Sequence, residues 1–176
     1  MITSTSNQQM KHILALEKKA KYRREEQQFV VEGRKMFAEA PREWVSKVYV
    51  AESAVEEMQD YLDGYPYEVV SDSVFKAISD TQTPQGILSV VKMPSYELTD
   101  LWKQDQTSLL ILESVQDPGN LGTMLRTGEG AGITGVIMNK TTVDLFNPKT
   151  IRSTMGSIYR VPFFVAEDLE ETMQEL

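Results

Sequence analysis

The run SLLILES, residues 108–114, passes directly into VQDPGNLGTMLRT, residues 115–127. Its apolar core is short and bounded by turn-forming residues, the pattern of a buried strand. Asp117-Pro118-Gly119-Asn120 then bends the chain, and Gly119 and Gly122 let backbone come close to another group. Strand, tight loop and helix follow one another without a break, the order from which layered α/β folds are built.

The same alternation runs upstream. Asn7 is placed to cap a helix in which Met10, Ile13 and Leu14 share one face, ending near the charged KKAKYRREE. The strand FVVEG (29–33) follows, then a helical RKMFAEA (34–40) stopped by Pro41, an alternating VSKVYVA (45–51), a helical SAVEEMQDYL (53–62) before Gly64, and a strand-like YEVVS (67–71). DSVFKAIS reads as a helix capped by Asp72 or Ser73, TQTPQ as a turn, and GILSVVKM (86–93) as a β-branched strand closing at Pro94. Residues 28–93 thus form a small α/β unit. The polar PSYELTDLWKQDQTS reads as a connection, although Leu98, Leu101 and Trp102 suggest that part of it packs down. The expected division is a first domain over 1–98, a linker over 99–107 and a second domain over 108–176. After the quoted loop and helix, the second domain continues with strand GVIMN (135–139), helix NPKTIRSTMG (147–156), strand IYRVPFFV (158–165) and a final helix DLEETMQEL (168–176). No internal repeat or low-complexity tract interrupts the order.

Composition narrows the classes. With 41% apolar residues in 176, the chain can fill a real core. It has no cysteine, which removes disulfide frameworks and thiolate metal sites and fits a reducing cytoplasm. No stretch has the apolar length of a signal peptide or a membrane span, so a cytoplasmic protein without a membrane partner or a metal is expected. The net charge of -8 opposes indiscriminate binding to polyanions, but the charge is uneven. Residues 1–24 carry Lys11, Lys18, Lys19, Lys21, Arg23 and Arg24 against Glu17 alone, whereas residues 167–176 hold five acidic residues and no basic one. The basic run is either a solvated helix face or a nucleic-acid contact, and charge alone does not choose.

The helix after Asp117 directs free amides towards the loop, a setting that favours a phosphate or carboxylate. Arg126, further along the same helix, is placed to reach the same anion. A structural turn with a surface arginine is the competing reading. The later GEGAG sits at the end of a helix rather than after a strand, so it fits a helix C-cap and not a dinucleotide loop.

LLILESVQDPGNLGTMLRTGEGAGITGVIM, followed by TTVDLFNPKTIRSTMGSIYRVP, closely resembles the SpoU or TrmH branch of the SPOUT RNA methyltransferases. FVVEGRKMFAEA, the preceding basic helix and ISDTQTPQGILSVV resemble that family's substrate-recognition domain, of ribosomal-protein-like α/β fold, so the likeness covers nearly the whole chain. The implied fold is that small α/β domain followed by the first half of a SPOUT-type, knotted Rossmann-like α/β methyltransferase domain. The implied reaction carries a methyl group from S-adenosylmethionine to a ribose 2'-hydroxyl of ribosomal or transfer RNA, with ribosomal RNA favoured, by an enzyme that is a homodimer when complete. Asn120 and Arg126 match the catalytic positions. A guanidinium stays protonated at ordinary pH, so phosphate clamping and electrostatic positioning are the primary role for Arg126, with proton acceptance a secondary one. Lys18, Lys19, Lys21, Arg23, Arg24, Glu32, Arg152 and Ser153 are the implied RNA-binding positions, and Gly33 matches a recurring position beside Glu32. For Glu32 the alternative is a pair with a nearby basic group, for Gly33 a turn, and for Arg152 a solvated helix face. His12 reads as exposed.

The chain departs from the family pattern at Gln8, Gly128 and Thr154, where proline, alanine and serine are usual. It also ends at Leu176, before the family's second and third signatures, which form the knot that holds the methyl donor. The expectation is therefore an inactive fragment with no cofactor-binding residue of its own, although the complete enzyme uses S-adenosylmethionine. A non-catalytic RNA-binding module is the reading of different class. A Rossmann-type nucleotide binder is disfavoured because no glycine fingerprint follows a strand.

Overall fold

Phe29, Val30 and Val31 are all buried, and so are Ile87, Leu88, Val90 and Val91, which means that these strands are covered on both faces. The computed structural model describes residues 1–102 and 105–176, in two units, Met1–Met93 and Pro94–Leu176.

The first unit runs α1 (Gln8–Lys18), α2 (Ala20–Glu26), β1 (Gln28–Glu32), α3 (Arg34–Glu39), β2 (Val45–Ala51), α4 (Val55–Met58), β3 (Tyr67–Val70), α5 (Asp72–Ile78) and β4 (Ile87–Lys92). Its sheet has the order β1-β4-β2-β3, with β4 antiparallel to both neighbours and β2 parallel to β3. Asn7 caps α1 as the sequence predicts, its side-chain oxygen accepting from the Gln9 amide at 2.8 Å. The face that α1 buries is Met10, Ile13 and Leu16; Leu14 is only half-buried. The charged stretch after α1 is itself helical. The chain turns extended at Lys19 and restarts as α2, and the joint is held by Arg23, which is 3% exposed and donates to the carbonyls of Leu16 and Glu17. His12 is half-buried rather than exposed, because its ring nitrogens lie 2.9 Å from the Tyr22 hydroxyl and 3.0 Å from Gln28 Oε1.

The second unit runs β5 (Leu109–Leu112), α6 (Pro118–Gly130), β6 (Gly135–Asn139), α7 (Pro148–Thr154), β7 (Phe163–Ala166) and α8 (Leu169–Gln174). The sheet β5-β6-β7 is parallel throughout. The last strand begins five residues later than its apolar run suggests. Gly156 takes φ +99°, Ser157–Tyr159 form a buried 3-10 turn, and Pro162 has no amide for a ladder. Leu98–Trp102 form another 3-10 turn, in which Leu101 is buried with Ile137 and Ala166. The linker expected over 99–107 falls partly on residues 103–104, outside the described residues. Among the described residues no helix is long and apolar enough to cross a membrane, and no group of metal-ligating side chains gathers.

One tyrosine makes the first unit sensitive to alkali. Tyr49 on β2 is 1% exposed and its hydroxyl donates to Gln9 Oε1 at 2.8 Å. Burial, and secondly Glu68 beside it on β3, push its ionisation from 10.0 up to about 12. The folded state therefore holds the proton more tightly than the unfolded chain. That stability is fully present below pH 10 and is lost as pH rises towards about 12. Thermal midpoints taken across this range should fall faster for the wild-type protein than for Tyr49→Phe; parallel curves would remove Tyr49 as the cause.

Candidate functional site

Asp117 and Asn147 each precede a proline, and each caps the helix that follows. Asp117 Oδ1 accepts from the Asn120 amide at 2.7 Å, and Asn147 Oδ1 accepts from the Lys149 amide at 3.0 Å. The two helices pack together through Gly122. A Cβ on that residue would lie 2.4 Å from the Thr150 carbonyl oxygen and 2.5 Å from Ser153 Cβ, so only glycine permits the approach. The contact brings the two capped loops side by side, and Lys149 Nζ stands 3.7 Å from Asp117 Oδ2.

Arg126 lies on the α6 stripe that carries Gly119 and Gly122, one turn beyond Gly122, and is exposed. Asn120 is exposed too, about 120° away around the helix axis. The pair therefore faces different directions from one element. The amide that the sequence offers to an external anion is already satisfied by the Asp117 carboxylate, whose charge also disfavours a second anion there. Among the described residues, the exposed Lys149 ammonium stands beside this loop and the exposed Arg126 guanidinium lies further along α6. Lys149 was not singled out from the sequence, although the repeated Asx-Pro signature, Asp117-Pro118 and Asn147-Pro148, marks the two loops as a pair. Arg152 and Ser153 sit half-buried on α7, and the Ser153 hydroxyl donates to the Lys149 carbonyl at 2.9 Å.

The polar groups at the carboxyl ends of β5 and β6 bind one another. The Ser114 amide donates to Asn139 Oδ1 at 2.8 Å, the Ser114 and Thr141 hydroxyls lie 2.7 Å apart, and Gln116 Nε2 donates to the Thr141 carbonyl at 2.8 Å. Sequence reading missed this network, since serine and threonine in loops carry no distinctive signal. A cavity of about 480 Å3 in this unit is lined by Trp102, Thr107, Leu109, Glu175 and Leu176, at the opposite, amino end of β5.

In the first unit, Lys18, Lys19, Lys21 and Arg24 are exposed, and Lys21 pairs with Glu25 at 3.7 Å. Arg23 differs from its neighbours. Burial and the two helix-end carbonyls commit its guanidinium to the fold, which corrects its expected place on an RNA-facing surface. Glu32 is also turned inward. It accepts from the hydroxyls of Ser79 and Thr81, both at 2.7 Å, and from the Asp80 amide at 3.3 Å, not from a basic side chain. Gly33 takes φ +97°, so a turn does require glycine there.

Residues 7–89 match the model of the MRM3-like substrate binding domain, and residues 107–176 that of the SpoU rRNA methylase family. The chain is 35% identical over 99% of its length to the 23S rRNA (guanosine(2553)-2'-O)-methyltransferase RlmP of Bacillus subtilis, and 31% identical over 89% to the human mitochondrial rRNA methyltransferase 3. It spans 68% of the Bacillus relative and 39% of the human one. Among solved structures, the AdoMet-bound rRNA methyltransferase of Sinorhizobium meliloti superposes with a TM-score of 0.81 at 31% identity, over 98% of this chain and 67% of that one. The AviRb methyltransferase of Streptomyces viridochromogenes shares the fold at 20% identity, with a TM-score of 0.83 over 96% of this chain and 66% of that one.

The glycine seam yields a stability prediction. Gly122→Ala forces the helices apart and should cost about 1–3 kcal/mol, the usual penalty of overpacking. Gly130→Ala, whose Cβ would meet nothing within 4 Å, should be neutral or stabilising. Urea unfolding followed by circular dichroism separates the two; a Gly122→Ala midpoint at or above wild type would show that the helices do not depend on this contact.

Proposed function

Because this chain belongs to the SpoU rRNA methylase family, we propose that it takes part in methylating a ribose 2'-hydroxyl of ribosomal RNA, with S-adenosylmethionine as the donor. The first unit grips the RNA through the exposed cations of α1 and α2. In the second, Arg126 holds the phosphate beside the target ribose, and Asn120 orients the nucleotide at the start of the same helix. The observation that carries this reading is the position of Arg126: exposed, on the α6 stripe that Gly122 seats against α7.

A ribose hydroxyl is a weak nucleophile at neutral pH, and its reaction depends on being held in line with the group it attacks. A fixed guanidinium supplies that alignment and stabilises negative charge developing on the hydroxyl oxygen. It keeps its own proton, so clamping and electrostatics are its role. Lys149 sits beside the Asp117 carboxylate and offsets a charge that would otherwise repel the RNA backbone. The polar groups after β5 and β6 satisfy one another, and a cavity of this unit lies at the far end of β5. The finer attributes we propose with this reading are ribosomal over transfer RNA, a homodimer and a cytoplasmic location.

Two measurements bear on this reading. Arg126→Ala should reduce methyl transfer to a large-subunit rRNA transcript by a factor of about 100 or more, the scale of a lost transition-state donor, without lowering the melting temperature. Asn120→Ala should reduce it less. Near wild-type transfer by the arginine variant would remove Arg126 from the reaction. For binding, replacing Lys18, Lys19, Lys21 and Arg24 by alanine should flatten the dependence of log affinity on log salt by a little under about one unit per lost phosphate contact. An unchanged slope would make this run a solvated face.

A further inference from the structure

Ser114, just past β5, takes φ +52°, a left-handed backbone that favours glycine and that a serine keeps only where its surroundings hold it there. Asn139, the last residue of β6, supplies that hold. Its Oδ1 accepts from the Ser114 amide at 2.8 Å and from the Thr142 hydroxyl at 2.9 Å, and its Nδ2 donates to Ser114 Oγ at 3.2 Å. Both lone pairs of the oxygen are then taken, so the side chain orders the loops around it and has no acceptor left for a ligand. Gln116 ties the same two loops from outside, its Nε2 donating to the carbonyls of Ser114 at 3.1 Å and of Thr141 at 2.8 Å. A backbone bond of 2.8 Å from the Val143 amide to the Val115 carbonyl closes the seam.

The loops joined in this way lead into α6 and α7, the two helices that meet at Gly122. Three residues after Ser114, Asp117 caps α6 through the Asn120 amide, so the path of the first loop decides where α6 begins and where Asn120 stands. Most of these bonds are exposed, and a bond that replaces one to water adds only modest stability. Their larger effect is to leave the loop a single conformation. Backbone held out of its preferred region by its surroundings clusters at active sites, and a misplacement of about 1 Å there can cost about a hundredfold in rate.

We propose that Asn139, with Gln116 beside it, is a positioning residue of the methyl-transfer site: it locks the loop after β5 and thereby fixes Asn120 against the target nucleotide, without touching RNA itself. The assignment rests on the reaction proposed above and deepens it. A residue that touches RNA equally in the bound and reacting states changes KM, whereas one that aligns the reacting groups changes kcat.

The test is steady-state methyl transfer to a large-subunit rRNA transcript, with kcat and KM taken separately and a melting curve for each variant. Asn139→Ala and Gln116→Met should each lower kcat about tenfold and leave KM within about twofold of wild type, the pattern of lost alignment. Asn139→Asp keeps an oxygen that accepts from the Ser114 amide and the Thr142 hydroxyl, and its kcat should return to within about threefold of wild type. Wild-type kcat in Asn139→Ala, a raised KM with unchanged kcat, or an Asn139→Asp enzyme as slow as Asn139→Ala would each overturn the proposal, the second by showing a direct RNA contact. If Asn139→Ala melts early, Gln116→Met decides, because that side chain is exposed and takes no part in the core. Transfer that is lost in Arg126→Ala but untouched in Asn139→Ala would overturn this role alone. No transfer by the wild-type protein would overturn the reaction reading and this role with it.

Discussion

The second unit depends on the absence of one methyl group. Gly122 lets α6 and α7 approach until backbone meets backbone, with the Thr150 carbonyl and Ser153 where a side chain would otherwise stand. Close helix packing of this kind allows little adjustment, because protein interiors are as dense as organic crystals. The seam sets where both Asx-Pro loops lie and hence brings Asp117 to Lys149. It also sets where Arg126 emerges, one turn further along the same stripe. The exposed arginine is positioned by a contact in which it takes no part.

In the first unit the organising rule is the cost of leaving charge unsatisfied. Six basic residues stand within the first 24, yet one of them, Arg23, goes inside. It does so because the break at Lys19 leaves carbonyls at the end of α1 without intrahelical partners, and a guanidinium supplies several donors in a fixed fork. The neighbouring lysines stay in water, where their charge remains available to a polyanion. Glu32 follows the same rule with the opposite sign: two hydroxyls and an amide satisfy it, and in doing so fix the chain around Thr81.

Much of the fold was legible because alternating strands and helices leave periodic and capping signals. The strands around Val30, Val48, Val69, Val90, Ile111 and Ile137 stand where their apolar runs place them, and Asn7 caps its helix. Some expectations of local structure failed for identifiable reasons. The strand expected from Ile158 begins at Phe163, because left-handed backbone at Gly156 and the missing amide of Pro162 outweigh an apolar run. His12 is not exposed, since Tyr22 and Gln28 arrive from elements that the sequence around it does not mention. At the start of α6 the Asn120 amide is taken by the Asp117 side chain that marks it as a helix start.

The candidate site divides in the same way. Sequence by itself determined the two-unit α/β order, the family, the loop 117–120 and the residue types able to face RNA, since spacing, caps and charge are local properties. It could not decide which charges are free. Lys18 and Arg23 are alike on paper, and their different fates follow from the helix-end carbonyls that Arg23 meets, just as hydroxyls up to 49 positions away settle Glu32. The closeness of Asp117 to Lys149 and the seat of Gly122 were decided only by tertiary structure. Desolvation and close contact belong to the packed state, and no window of neighbouring residues contains them.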